Sequence, residues 1–126
     1  IIKKKTTLRC KKNLFLKTNK NNLLRILFNL IENASNFGDK IIISVINVKD
    51  ILTINIDDNG PGIPSQFKKK IFKPFFKVDD SRNLNQKGSG LGLSIANELV
   101  KKINGEILID NSKKLSGSCF TIKMRR

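Results

Sequence analysis

The run Asp57-Asp58-Asn59-Gly60-Pro61-Gly62-Ile63-Pro64 constrains this chain more than any other stretch. Before it, Ile51-Leu52-Thr53-Ile54-Asn55-Ile56 is rich in β-branched residues and reads as a strand. Period-two alternation puts Leu52, Ile54 and Ile56 on the core face, and Asp58 falls on the same row. A carboxylate at the end of such a row is costly unless it is hydrogen-bonded. The glycines flanking Pro61 then turn the backbone sharply and leave room beside it. An acid at the rim of a core, next to bare backbone, suits a flat ligand carrying hydrogen-bond donors. Adenine, with its exocyclic amine, is such a ligand.

Length sets the scale around this strand: 126 residues fit one domain with a single core. A hydrophobic share of 39% and a charged share of 28% are ordinary for a globular protein. The net charge of +15, from 25 Lys+Arg against 10 Asp+Glu, suits an anionic partner. The abundance of Lys, Asn and Ile equally fits an A/T-rich genome. Lysines come in short scattered runs and the aromatics are all Phe, so no nucleic-acid face is expected. Cys10 and Cys119 lack metal-type spacing and read as small buried apolar residues rather than as a disulfide. No apolar run is long enough to cross a membrane, and no signal peptide is visible. Histidine is absent, which removes the commonest general base and metal ligand.

In chain order, residues 1–12 form a basic, partly extended lead-in, as if cut from something longer, and Asn13–Lys17 reads as a short strand. From Lys20 to Phe37 the pattern is helical, with Leu23, Leu27, Leu30, Ile31 and Ala34 as the buried stripe. Asn29, Asn33 and Asn36 form a second stripe on another face. Spacing leaves two accounts open there: plain Asn-rich composition, or amides aimed at a metal ion or phosphates. Ile41–Val48 and Ile51–Asp58 form an antiparallel hairpin across Lys49-Asp50. Pro64-Ser65 opens a short helix, Gln66–Phe72, followed by a long irregular connection, Lys73–Lys87. Gly88-Ser89-Gly90-Leu91-Gly92-Leu93 leads into a helix with Leu93, Ala96, Leu99, Val100 and Ile103 on its apolar face, stopped by Gly105. Glu106–Ile109 and Ser118–Met124 are the last strands, with Asn111–Lys114 in their turn. The glycine-rich loop fits neither the dinucleotide-binding nor the P-loop pattern. By itself it reads as a phosphate-binding helix start or as a plain turn.

Together these stretches resemble the ATP-binding domain of sensor histidine kinases. Asn29-Leu30-Ile31-Glu32-Asn33-Ala34 is similar to the N box of the GHKL ATPases, and Asp58-Asn59-Gly60-Pro61-Gly62-Ile63 to the G1 box. Phe72-Lys73-Pro74-Phe75-Phe76 resembles the F box, Gly88–Leu93 the G2 box, and Gly117-Ser118-Cys119-Phe120 the closing strand signature. The order, with the F box between G1 and G2, is similar to the EnvZ-type osmosensors.

The resemblance implies an α+β Bergerat-type α/β sandwich: a mixed, mostly antiparallel sheet with helices on one face. It implies one domain over residues 1–126, with a core at about 13–124 and a lid at about 77–87. The ligands implied are ATP and Mg²⁺. Asp58 would accept the adenine amine, with Gly60, Gly62 and Ile63 beside the nucleotide. Asn33 would coordinate Mg²⁺, and Asn29 would sit beside the phosphates. The backbone of Gly88, Ser89, Gly90, Leu91, Gly92 and Leu93 would hold the phosphates. Phe72 and Phe76 would anchor the lid, from which Lys77, Arg82 and Lys87 reach the nucleotide. Asn36 stands where the family carries Lys or Arg. With no histidine in the chain, the implied function is donation of the γ-phosphate to a histidine on a separate helical hairpin, with a response regulator as later partner. The alternatives are a GHKL hydrolase and a vestigial ATP-binding interaction module. The expected setting is a monomeric cytoplasmic domain of a parent anchored in the plasma membrane.

Overall fold

The computed structural model describes residues 5–10, 13–76 and 90–126. Its centre is the hairpin expected from the sequence, β2 (Lys40–Val48) and β3 (Ile51–Asp58), paired from Ile41↔Asp58 to Val48↔Ile51. Lys49 and Asp50 both take positive φ, at 49° and 65°, as a two-residue turn matched to strand twist requires. β5 (Ser118–Arg125) pairs antiparallel with the other edge of β3, and β4 (Gly105–Asn111) lies outside β5. β1 (Lys5–Cys10) joins β2 in parallel, giving the order β1-β2-β3-β5-β4. A parallel pair needs a long crossover, which α1 (Lys20–Phe37) supplies. The sheet is therefore mixed and mostly antiparallel. α1 and α2 (Gly92–Lys102) pack on one face of it.

Alternation along the strands builds the core. Leu52, Ile54 and Ile56 of β3 and Phe120, Ile122 and Met124 of β5 are buried under Ile26, Leu30 and Ala34 of α1 and Ala96 and Val100 of α2. The α1 stripe is thus rotated from expectation. Ile26 is fully buried, while Leu23, Leu27 and Ile31 are half-buried at its flanks, because α2 covers one side of α1. Burying the larger of these side chains, the Leu, Ile, Val, Phe and Met residues, is worth about 1.5–3 kcal/mol each before entropy is counted.

Several local expectations are corrected. Asn13–Lys17 is no strand: this segment carries the chain from β1 back to α1 and so cannot pair along the sheet. Leu14 and Leu16 pack on the core there, and the Phe15 carbonyl accepts from Arg126 Nε at 3.1 Å. Instead the lead-in supplies edge strand β1, which leaves Cys10 exposed and Cys119 half-buried, with no disulfide between them. The helix expected at Gln66–Phe72 is two short 3₁₀ turns, Ser65–Phe67 and Lys70–Phe72. The stop after α2 falls on Asn104, at φ 58°, not on Gly105. Gly105 begins β4, where a Cβ would meet the Lys123 carbonyl oxygen at 2.8 Å. Asn111 also belongs to β4, and the turn that follows runs over residues 112–117. No helix among the described residues is long and apolar enough to cross a membrane.

Candidate functional site

At the end of β3 the strand delivers two carboxylates to opposite faces of the sheet, and both are buried: Asp57 at 3% exposure and Asp58 at 2%. Asp58 faces the helices, as its row requires. Its Oδ1 accepts from the Gly60 N–H at 2.9 Å and from the Ser118 N–H at 3.2 Å. Among the described residues both hydrogen bonds go to Oδ1, which leaves Oδ2 for a ligand donor. Burial pushes the Asp58 carboxyl up; the two backbone donors pull it down less, and neighbouring Asp57 adds a smaller upward push. Asp58 is thus an acceptor aimed at the helix side, held at one oxygen and open at the other.

The glycines around it have separate reasons. Gly60 is fixed by close approach: a Cβ would lie 2.7 Å from the Phe37 carbonyl oxygen and 3.0 Å from Asp58 Oδ1. At Gly62 a Cβ would make only ordinary contact, 3.8 Å from the Gly117 carbonyl oxygen, but the residue sits at φ +77°, a conformation that suits glycine. Ile63 is half-buried against the core beside this turn.

Along α1, Asn29, Asn33 and Asn36 are all half-buried. The Nδ2 of Asn29 is buried without a hydrogen-bond partner among the described residues. A Cβ placed on Gly92 would lie 3.9 Å from Cβ and Cγ of Asn29, so this amide faces the start of α2. That start carries no side-chain cap and no acid in its first turn, whereas α1 is capped by Asn19 Oδ1 accepting from the Asn22 N–H at 3.0 Å. An uncapped helix start beside an unpartnered amide donor is a place for an anion. Leu91 lies at the cap position and Leu93 in the first turn, half-buried against the core.

The aromatic box is tied in at two points. Phe72 packs edge-on against buried Phe120 at 6.4 Å between ring centroids, and Phe76 stacks tilted on Phe67 at 5.7 Å. The Phe75 N–H donates to the Gly90 carbonyl at 2.8 Å, and a Cβ on Gly90 would lie 2.7 Å from Phe75 Cα. Gly90 takes φ +81° to make this contact. Lys77, Arg82, Lys87, Gly88 and Ser89 lie outside the described residues.

The structure therefore brings Asp58, Gly60, Gly62 and Ile63 together at one end, and Asn29, Leu91, Gly92 and Leu93 together at another. The sequence names Asn59 and Gly117 within its motifs but does not show the part they play in bracing the first group. Gly117 sits so close that a Cβ would be 2.3 Å from the Asp58 carbonyl oxygen and 2.6 Å from Gly60 N. Asn59 latches the α1–β2 turn onto the end of β3. Its Oδ1 accepts from the Asp39 and Lys40 N–H groups at 2.9 and 3.0 Å, and its Nδ2 donates to Asp39 Oδ1 at 2.7 Å. Gly38 leaves room for that latch, since a Cβ there would meet Asn59 Oδ1 at 2.7 Å. Only the small residues at Gly38 and Gly117 could have signalled this.

Known proteins are similar to this chain in sequence and in fold. Residues 18–126 match the family described as histidine kinase-, DNA gyrase B-, and HSP90-like ATPase. The chain is 41% identical over 107 residues to the histidine protein kinase SaeS of Staphylococcus epidermidis, covering 81% of this chain and 30% of that protein. It thus spans just under a third of the length of such curated relatives. The catalytic domain of the histidine kinase ThkA, solved without nucleotide, superposes with a TM-score of 0.79 at 26% identity, covering 97% of this chain and 79% of that one. The mycobacterial sensor histidine kinase MprB shares the fold, with a TM-score of 0.76 at 23% identity over 98% of this chain and 80% of that chain.

Proposed function

The chain belongs to the histidine kinase-, DNA gyrase B-, and HSP90-like ATPase family, as an ATP-binding domain of the histidine kinase type, and we propose that it holds Mg·ATP and presents the γ-phosphate to a histidine of a separate dimerisation and phosphoacceptor hairpin. The observation that carries this reading is Asp58, buried, with Oδ1 occupied by two backbone donors and Oδ2 left over. An ionised carboxylate in that state takes the adenine 6-amine and rejects a base with a carbonyl in its place. Gly60, Gly62 and Ile63 line the base. At the other end, Asn29 Nδ2 and the N–H groups at the start of α2 supply donors to the phosphates, with Gly88, Ser89 and Gly90 preceding them. Phe72 and Phe76 anchor the lid, and Lys77, Arg82 and Lys87 add positive charge from it.

The donor set suits one magnesium ion held lightly by protein: the Asn33 amide oxygen is a hard neutral ligand, and Mg²⁺ takes most of its shell from water and phosphate. When bound, the ion neutralises charge developing on the transferred phosphoryl group. The chain's own part is positioning, with the base fixed at Asp58 and the triphosphate directed along α1 toward the acceptor. Asn29 is an amide and cannot take a proton from water, which sets this site apart from one built for hydrolysis.

Within the sensor kinases we infer an osmosensor-like arrangement, from the F box lying between the G1 and G2 boxes. Residues 1–126 form one unit facing the cytoplasm, monomeric when isolated, from a parent anchored in the plasma membrane and serving a response regulator. The experiment is ATP titration by calorimetry with and without Mg²⁺, followed by labelling from γ-labelled ATP. The domain alone should bind ATP, release phosphate very slowly and not label itself. Mixed with the phosphoacceptor hairpin of its parent, it should label that hairpin. Absence of ATP binding, or brisk hydrolysis by the domain alone, would overturn the reading.

A further inference from the structure

The carboxylate beside Asp58 points the other way and has no place in the binding of ATP described above. Asp57 is buried at 3% exposure on the sheet face away from α1 and α2. Its Oδ2 accepts from the Ser112 hydroxyl at 2.6 Å, and Ser112 is itself buried at 5%. This hydrogen bond offsets part of the cost of burying both groups, while Asp57 Oδ1 is buried without a partner among the described residues, so the Ser112 hydroxyl ties down a costly carboxylate. The same contact holds the turn after β4.

Ser112 organises that turn from within. Its N–H donates to the Gly117 carbonyl at 2.7 Å, its carbonyl accepts from Ser116 N–H at 3.0 Å, and its Oγ accepts from Leu115 N–H at 3.0 Å. The turn is thereby closed on itself, and Lys114 extends from it to donate to Ser44 Oγ at 2.9 Å. Its last residue, Gly117, donates to the Asp58 carbonyl at 3.1 Å, and the next N–H, of Ser118, donates to Asp58 Oδ1. A chain of contacts thus runs from Asp57 through Ser112 and Gly117 to the carboxylate on the opposite face.

We propose that Asp57 and Ser112 are positioning residues for the base site: by pinning the 112–117 turn they fix the Ser118 N–H on Asp58 Oδ1, and so aim Oδ2 at the adenine amine. This rests on the proposed adenine role of Asp58. The sheet carries the effect because Asp57 and Asp58 are neighbours on one strand, with Asp57 paired to Cys119 in the β3–β5 register. A turn that loosens lets the Ser118 N–H drift, and a carboxylate held by one donor instead of two rotates more freely. The loss falls on discrimination between bases rather than on grip of the triphosphate, whose proposed donors lie on α1 and α2.

The test compares ATP with ITP, which carries a carbonyl where adenine has its amine, by calorimetry on the whole chain. Wild type should prefer ATP. Ser112→Ala should narrow that preference by about fivefold, the scale of one buried hydrogen bond, with ITP affinity little changed. Ser112→Thr keeps the hydroxyl and should retain the preference. Asp57→Asn keeps an acceptor for it and should do likewise, whereas Asp57→Leu should lose preference as Ser112→Ala does. The Asp57 pair also serves if Ser112→Ala does not fold. A Ser112→Ala or Asp57→Leu protein that folds and keeps the full ATP preference overturns the positioning role while leaving Asp58 on adenine. Equal loss for ATP and ITP also overturns it, since that is what a merely structural role gives. A wild type that does not prefer ATP removes the adenine reading itself, and this inference with it.

Discussion

The two ends of the candidate site are built on different plans. At the proposed base end most groups are already tied down and the ligand is left a single acceptor, Asp58 Oδ2: Asp58 Oδ1 has two backbone donors, Asn59 is spent on the α1–β2 turn, and Gly117 fits with no room for a methyl. At the phosphate end the protein leaves groups waiting. Asn29 Nδ2 is buried with no partner among the described residues, and α2 starts without a side-chain cap. The difference fits the ligand proposed for the site. A flat base is recognised by donors and acceptors held at fixed places, so order there can be complete before binding. A triphosphate brings its own charge and acceptors, so the site supplies donors and lets the anion complete them.

The contrast breaks most visibly at Gly117. Gly117→Ala forces a methyl to within 2.3 Å of the Asp58 carbonyl oxygen. It should cost about 3 kcal/mol of stability, since backbone on both sides has nowhere to go. Denaturant unfolding measures this, and a loss near zero would mean the base end is softer than described.

Next comes Asp58→Asn, which should weaken ATP binding by about 2 kcal/mol, because the amide must face the adenine amine donor to donor or give up an internal partner. The fold should not suffer. The carboxyl of Asp58 is pushed up by burial, so the folded state holds its proton more tightly than the unfolded chain does. Its contribution to stability is fully present below the unfolded value and is lost as pH rises through the folded one. At neutral pH the wild type therefore carries the burden of a buried charge that the neutral amide removes, and the variant should melt no lower. The ATP preference over ITP should fade on acidification, and fade at higher pH than for an ordinary carboxylate.

Asn29→Leu tests the phosphate end. Removing a buried donor without a partner should raise stability by about 1 kcal/mol while weakening ATP more than adenosine. Lower stability would show that the amide is satisfied in the unliganded protein. The smallest effect is Asn36→Lys, expected to tighten ATP more than ADP by about 1 kcal/mol or less, and to fade with salt. Thr53→Lys, on the sheet face away from the helices, adds the same charge as a control. Equal gains from both substitutions would take Asn36 off the phosphate side.

Local periodicity made much of this legible. The alternation Leu52, Ile54, Ile56, Asp58 foretold a buried acid at the end of β3, and the hairpin and α1 formed where their patterns placed them. Residues 13–17 misled because an alternating short run is only a strand if an edge is free to receive it, and this segment is committed to the crossover. Ile26 was overlooked because the centre of a helix stripe depends on which neighbour covers it.

By itself the sequence determined where the candidate residues fall: an acid on a core row, amides on one helix face, and glycines where the backbone must turn or yield. It could do so because a strand's period and a helix's period are written in neighbouring residues. The tertiary structure alone decided how the acid is aimed. Ser118 stands 60 positions from Asp58, and Ser112 stands 55 from Asp57. Their meeting depends on the β3–β5 register and on a turn closing over the far face of the sheet. No local period encodes such a meeting, because it is set by which backbones can approach closely once the whole sheet has paired.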